Sequence, residues 1–119
     1  MRATMRFFRK TETTPADAAH TLVVEFEYGT LDPTPLFQLE SRLEQRLRQS
    51  RAGVYDGNQM APDGSSGQLQ VRGDDANFLL ETLQPVFERS AFLRGARVRL
   101  RYGPDVPGIH EKEIILAAD

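Results

Sequence analysis

The sequence predicts an α+β fold in which an antiparallel sheet carries two helices on one face. Two segments alternate apolar and polar residues as strands do, two others show a helical apolar stripe, and a turn signal separates two short strand-like runs. The order along the chain is strand, helix, hairpin, helix, strand. With 119 residues, 39% of them apolar and 27% charged, the chain can bury one two-layer core without disulfides or a structural metal. We therefore predict a single α+β domain over residues 20–119, preceded by a basic segment and loop over 1–19.

The first strand and the first helix follow from local pattern. Apolar and polar residues alternate from Thr21 to Tyr28, which is typical of a half-buried strand. Two X-Pro steps precede the next apolar run, so we expect the helix to begin with Thr34 as N-cap and Pro35 as its first residue. The helix should extend to about residue 50, because leucines recur at spacings of three and four residues. These leucines are Leu36, Leu39, Leu43 and Leu47.

A hairpin and a second helix come next. Pro62-Asp63-Gly64 is a turn signal between two strand-like runs, and Gly57 in the first run indicates a bulge or a close backbone approach. Asp74 or Asp75 is expected to cap a helix near residues 75–90. Pro85 lies inside that helix and removes one backbone donor, so we expect a kink or a break near residues 82–85.

The chain should end in two strands. Arg97, Arg99 and Arg101 alternate with Val98 and Leu100, which predicts a strand with a charged face. A tail strand from about residue 111 to 116 should extend or cover an edge of the sheet.

This order of elements matches the split βαβ sandwich that is called ferredoxin-like, with an extra C-terminal strand. Right-handed crossovers place both helices on one face, so the other face is expected to be open and charged, with Glu–Arg pairs across strands. The residues expected there are Glu25, Glu27, Gln68, Gln70, Arg72, Arg97, Arg99 and Arg101.

Composition and motifs argue against several kinds of binding and catalytic site. The chain has no cysteine, and its 15 basic and 17 acidic residues give a net charge of -2, which argues against a dedicated nucleic-acid binder. His110-Glu111 begins like a zinc-protease motif, but Ile114 stands where the second histidine is needed. Asp56-Gly57-Asn58 begins like a calcium loop, but Gly67 replaces its final glutamate. We therefore predict no catalytic residues, no metal and no cofactor.

The first ten residues contain four basic residues and no acid. Arginines interrupt their few apolar residues, so the apolar core of a secretory signal is missing. We expect a cytoplasmic protein without a membrane-spanning segment, in which Met5 to Arg9 adds an edge strand.

Two functions of different class remain. The first is a non-catalytic interaction module with a protein partner. Its contact residues would be Tyr55, Asp56, Asn58, Arg72, Arg97, Arg99 and Arg101. Asp and Asn beside glycine also serve turns and bulges by bonding to their own backbone.

The alternative is a small dimeric α+β barrel enzyme or small-molecule-binding protein without metal, in which two sheets pack face to face around a pocket. Its polar groups would come from Tyr28, Tyr55, Tyr102, His20 and His110. Burying the arginines and glutamates of the open face would cost several kcal/mol per ion before pairing offsets it.

Several short motifs together resemble a group of small bacterial proteins of unassigned function, over roughly residues 20–116. These motifs are Tyr55-Asp56-Gly57-Asn58, Pro62-Asp63-Gly64, Gly73-Asp74-Asp75-Ala76, Pro85-Val86-Phe87, Gly95-Ala96 and Leu100-Arg101-Tyr102-Gly103. The resemblance implies a compact bacterial domain with the ferredoxin-like arrangement, and it supplies no activity or catalytic residues.

Overall fold

A computed structural model describes residues 19–104 and 106–117 and contains a five-stranded antiparallel sheet with two helices. The elements are β1 (His20–Glu27), α1 (Thr34–Ser50), β2 (Gly53–Met60), β3 (Ser66–Gly73), α2 (Ala76–Glu88), a 3-10 turn (Ala91–Leu93), β4 (Arg97–Arg101) and β5 (Glu111–Ile115). The strand order is β2-β3-β1-β4-β5, and every neighbouring pair is antiparallel. The first four strands thus have the ferredoxin-like order, with β5 added beside β4. The edge strand predicted at Met5 to Arg9 lies outside the described residues.

The core lies between the sheet and the two helices, as the alternation predicts. Leu22 and Val24 of β1 and Val98 and Leu100 of β4 are fully buried on the face toward the helices. The four leucines of the α1 stripe are also buried, with exposed fractions of 4% or less. The opposite face of the sheet, which we call the open face, carries the charged residues of the same strands.

The start of α1 differs from the prediction that Thr34 is its N-cap. The helix begins at Thr34, and Pro33 precedes it without a side-chain cap. Tyr28 from the end of β1 takes over the capping role: its hydroxyl accepts a hydrogen bond from the Leu36 N–H at 3.2 Å and donates one to the Asp32 carbonyl at 2.5 Å. A tyrosine eight residues away therefore satisfies a helix donor that a local side chain usually satisfies.

The start of α2 has two caps. Asp75 is the N-cap, as predicted, and its carboxylate accepts hydrogen bonds from the N–H groups of Asn77 and Phe78 at 2.9 and 3.3 Å. His20 Nδ1 accepts a third bond, from the Ala76 N–H at 3.0 Å. The first strand is thereby tied to the second helix by a polar contact as well as by the core.

The break expected at Pro85 does not occur, because α2 continues through it to Glu88. Pro85 lies three residues before the end of the helix, and its ring crowds the carbonyl of the residue four positions earlier. The N–H that it lacks would bond to the carbonyl of Glu81. Both residues are exposed, so water can satisfy that carbonyl.

Candidate functional site

The bulge predicted at Gly57 decides which way the side chains of β2 point. Tyr55 pairs with Val71 and Gly57 with Gln70, so Asp56 is the extra residue. Gly57 has a φ of 110°, which a side chain rarely adopts. After the bulge the alternation is shifted by one, and Asn58 comes to the same side of the sheet as Tyr55.

On that side, Tyr55 and Asn58 share one partner on α1. The Tyr55 hydroxyl donates to Glu40 Oε2 at 2.5 Å, and the Asn58 amide donates to the same oxygen at 2.6 Å. These are hydrogen bonds to a charged acceptor and are stronger than neutral ones. They fasten the edge strand β2 to α1.

Asp56 points to the open face instead. Its carboxylate oxygens lie 3.2 Å from Nε and 3.3 Å from Nη2 of Arg72, and it accepts a further bond from the Gln70 amide at 3.0 Å. The Nη2 contact is a hydrogen bond, whereas the Nε contact is an ion-pair distance without a hydrogen bond, so one directed bond and the opposite charge hold Arg72 beside Asp56.

The Glu–Arg pairs predicted for the open face are present. Arg99 Nη2 lies 2.8 Å from Glu25 Oε2, and both side chains are 35% exposed. Arg97 lies 3.9 Å from the same carboxylate and 3.3 Å from Glu113 of β5. Half-exposed pairs of this kind contribute roughly 0.2–1 kcal/mol each, so they order the side chains more than they stabilise the fold.

The series of Glu–Arg pairs continues at the other end of β4, where Arg101 Nε lies 3.2 Å from Glu111 Oε2. Val23 also points to the open face, but it is only 6% exposed. Its neighbours across the strands are Gln70 and Arg99, and the aliphatic stems of such long side chains commonly cover apolar surface. We therefore expect Arg99 to have a packing role beside its charge.

The seven predicted contact residues are separated by the sheet. Asp56 and the four arginines at 72, 97, 99 and 101 belong to the open face, whereas Tyr55 and Asn58 lie on the helix side. Glu40, the residue that joins those two, was missed by sequence reasoning. It looks like one more charge on the exposed face of α1, and nothing in its spacing shows that β2 runs beside it.

The Tyr55–Glu40 contact predicts a pH dependence. Burial, and then the hydrogen bond to Glu40, raise the pKa of Tyr55 above its usual value. Because the unfolded tyrosine titrates at about pH 10, the stabilisation is complete below that pH and is lost as the pH rises toward the folded-state pKa. We expect Tyr55→Phe to lower the free energy of unfolding by roughly 1 kcal/mol at neutral pH.

Urea denaturation at neutral and strongly alkaline pH measures the effect. The wild type should lose more stability between the two pH values than Tyr55→Phe does. Glu40→Gln keeps an acceptor and removes the charge, so its loss should be intermediate. Equal losses in the wild type and Tyr55→Phe would contradict the assignment.

The remaining polar groups of the two-sheet pocket hypothesis lie on the helix side of the sheet. Tyr28 and His20 cap the two helices, as described above. Tyr102 donates from its hydroxyl to Asn77 Oδ1 at 2.7 Å and stacks near His110, with ring centroids 5.1 Å apart. These side chains brace helix starts and do not converge on the open face.

Within residues 19–104 and 106–117, no group of three or more His, Asp or Glu side chains is arranged to hold a metal ion. None of the described helices combines the length and apolar content needed to cross a bilayer. Comparisons with protein-family models, with curated proteins and with solved structures found no match to this chain. A functional proposal therefore depends on the geometry of the chain itself.

Proposed function

We propose that this chain is a non-catalytic protein-interaction module that binds its partner through the open face. The observation that carries the proposal is the set of four arginines on a sheet face that no described element covers, each held beside a carboxylate. The pairs are Arg72–Asp56, Arg97–Glu25, Arg97–Glu113, Arg99–Glu25 and Arg101–Glu111.

Ordered arginines are suited to binding. A free arginine loses about 0.5–1.5 kcal/mol of conformational freedom when a partner immobilises it. The carboxylates of the open face have already restricted these side chains, so a partner bears less of that cost. A guanidinium has five donor hydrogens, and one carboxylate uses at most two of them. The others can donate to carbonyl or carboxylate oxygens of a partner.

The charge of the open face favours a protein over a nucleic acid. Its four arginines are matched by the carboxylates of Glu25, Asp56, Glu111 and Glu113, so the face has no net positive charge for phosphates. The outward positions of the two central strands hold valine, glutamate, glutamine and arginine rather than stacking aromatics. We infer a partner surface that also carries both signs of charge.

A pull-down from native cell extract tests the proposal with three versions of the protein. One is the wild type, and the second carries Arg97→Ser, Arg99→Ser and Arg101→Ser. The third is a control with the same change in net charge at exposed positions outside the open face. The control substitutions are Arg48→Ser, Arg51→Ser and Lys112→Ser.

We expect the wild type and the control to retain the same protein and the open-face variant to lose it. Equal recovery by all three versions would remove the arginine face from the proposal, and no recovery above bare resin by the wild type would contradict the module itself. Arg99 lies beside Val23, so its substitution could lower stability. Thermal denaturation of each version therefore checks that a loss of binding is not a loss of fold.

The competing proposal of a dimer around a pocket gains no support from the described side chains, because its tyrosines and histidines lie on the helix side. Sedimentation separates the two proposals, since a stable monomer excludes a pocket between two sheets. The cytoplasmic location and the resemblance to small bacterial proteins both stay predictions.

A further inference from the structure

A second surface, away from the open face, carries positive charge that the protein does not neutralise. A groove of about 480 Å³ runs between the outer sides of α1 and α2. Its lining residues are Arg42, Gln45, Arg46, Gln49, Pro85, Val86 and Arg89. We call it the interhelical groove.

The charge of this groove follows from how α1 is oriented. Its residues at positions 42, 45, 46 and 49 have the spacing of a single helix flank, which faces α2 and contains only arginine and glutamine. Glu40 belongs to the other flank, where it bonds to Tyr55 and Asn58. Among the residues that the structure describes, none with a carboxylate lines the groove.

The three arginines of the groove differ from those of the open face. Among the described residues, Arg42 and Arg89 have no carboxylate oxygen within ion-pair distance, and neither has Arg46. Arg46 is anchored by its Nε, which donates to the Thr82 carbonyl at 3.3 Å. Arg42 and Arg46 are one helical turn apart, so their like charges destabilise α1. A chain of net charge -2 thus keeps three unneutralised guanidiniums in one groove.

The floor of the groove adds an apolar element. Pro85 is exposed and Val86 is partly buried, and both lie between the arginines of the two helices. The stretch from Arg42 to Gln49 spans about 10 Å at the helical rise of 1.5 Å per residue, which matches about three residues of extended chain.

We propose that the interhelical groove binds a short acidic peptide segment of a partner protein. The carboxylates of the segment pair with Arg42, Arg46 and Arg89, and an apolar side chain contacts Pro85 and Val86. Arginine pairs with carboxylate through two parallel hydrogen bonds, and a partner desolvates the pair and strengthens it. This site is separate from the open face and does not depend on the proposal made for that face.

Fluorescence anisotropy with a labelled oligo-glutamate peptide tests the site directly. The wild type should bind the peptide saturably, and more weakly at high salt. The groove variant with Arg42→Ser, Arg46→Ser and Arg89→Ser should bind at least about tenfold more weakly, since each lost charge-assisted bond contributes to affinity. All three residues are exposed, so this variant should stay folded, and thermal denaturation checks this because the variant loses the Arg46–Thr82 hydrogen bond and relieves the repulsion between Arg42 and Arg46.

The control variant with Arg48→Ser, Arg51→Ser and Lys112→Ser is the matched control, because it loses the same positive charge at exposed positions that belong to neither proposed surface. It should bind the peptide within about twofold of the wild type. Equal weakening in the two variants, or no saturable binding by the wild type, would overturn the proposal. Tighter binding of inorganic polyphosphate or single-stranded DNA, lost in the groove variant, would show a phosphate ligand and overturn the assignment to a peptide.

Discussion

Replacing Phe87 with alanine is expected to lower the free energy of unfolding by about 3–5 kcal/mol, the largest loss for any single substitution discussed for this chain. Phe87 is 1% exposed and is the largest of the fully buried side chains. It lies in the last turn of α2, among the core residues between the helices and the sheet. Truncation removes the whole phenyl ring from buried surroundings and leaves a cavity, and both effects destabilise the folded state.

Phe78→Ala is the matched control, because it makes the same change in the same helix. Phe78 is 42% exposed, so its truncation should cost roughly 1 kcal/mol or less. Equilibrium unfolding in urea compares the two variants. Similar losses would mean that α2 presents a different face to the sheet than the one described above.

Gly73→Ala is expected to cost about 3 kcal/mol, the upper end of the usual range for overpacking. A Cβ at Gly73 would stand 2.3 Å from the carbonyl oxygen of Ala52 and 3.2 Å from a methyl carbon of Leu79. Gly53, its partner across the β2–β3 ladder, is equally restricted, since its Cβ would meet the Arg72 carbonyl oxygen at 2.1 Å. The glycine pair thus lets the backbone and Leu79 of α2 approach closely.

The penalty at Gly73 is steric, since its φ is not in the left-handed region. Gly103→Ala is a suitable control, because the atoms near its Cβ are methyl carbons of the Ile109 side chain, the closest at 3.1 Å. That side chain can move, so the expected loss is below about 1 kcal/mol. Thermal and urea denaturation of both variants measure the difference. A Gly73→Ala protein as stable as the wild type would show that β2 can shift away from β3.

The arginines of the open face and those of the interhelical groove are similar in number but differ in whether carboxylates pair with them. On the open face, carboxylates from neighbouring strands hold the guanidiniums, so the binding proposed there would depend on shape and on matched charges. In the interhelical groove the guanidiniums have no carboxylate partner among the described residues, so the binding proposed there would depend on negative charge in the ligand. The variant changed at Arg48, Arg51 and Lys112 loses the same charge as either triple variant and serves as the control for both.

Local sequence pattern was sufficient to predict the elements whose causes act over a few residues. Alternation placed β1 and β4 and correctly assigned their buried faces, because successive side chains of a strand point to opposite sides. Asp75 marked the start of α2, since its carboxylate bonds to N–H groups two and three residues ahead. Gly57 marked the bulge, and the order of elements was sufficient for the ferredoxin-like topology.

Contacts between residues far apart in the chain could be identified only from the folded structure. His20 bonds to the start of α2 although 56 positions separate it from Ala76, and no local pattern predicts such a partner. One extra residue in β2 turned Asn58 toward Glu40, because the side chains of a strand alternate and a single insertion shifts all that follow. The charged face of α1 is continuous in the sequence, but β2 on one side and α2 on the other divide it into an acidic contact and a basic groove. Whether a charge is neutralised and whether a side chain is buried depend on the neighbouring residues. Those neighbours come together only when the chain folds.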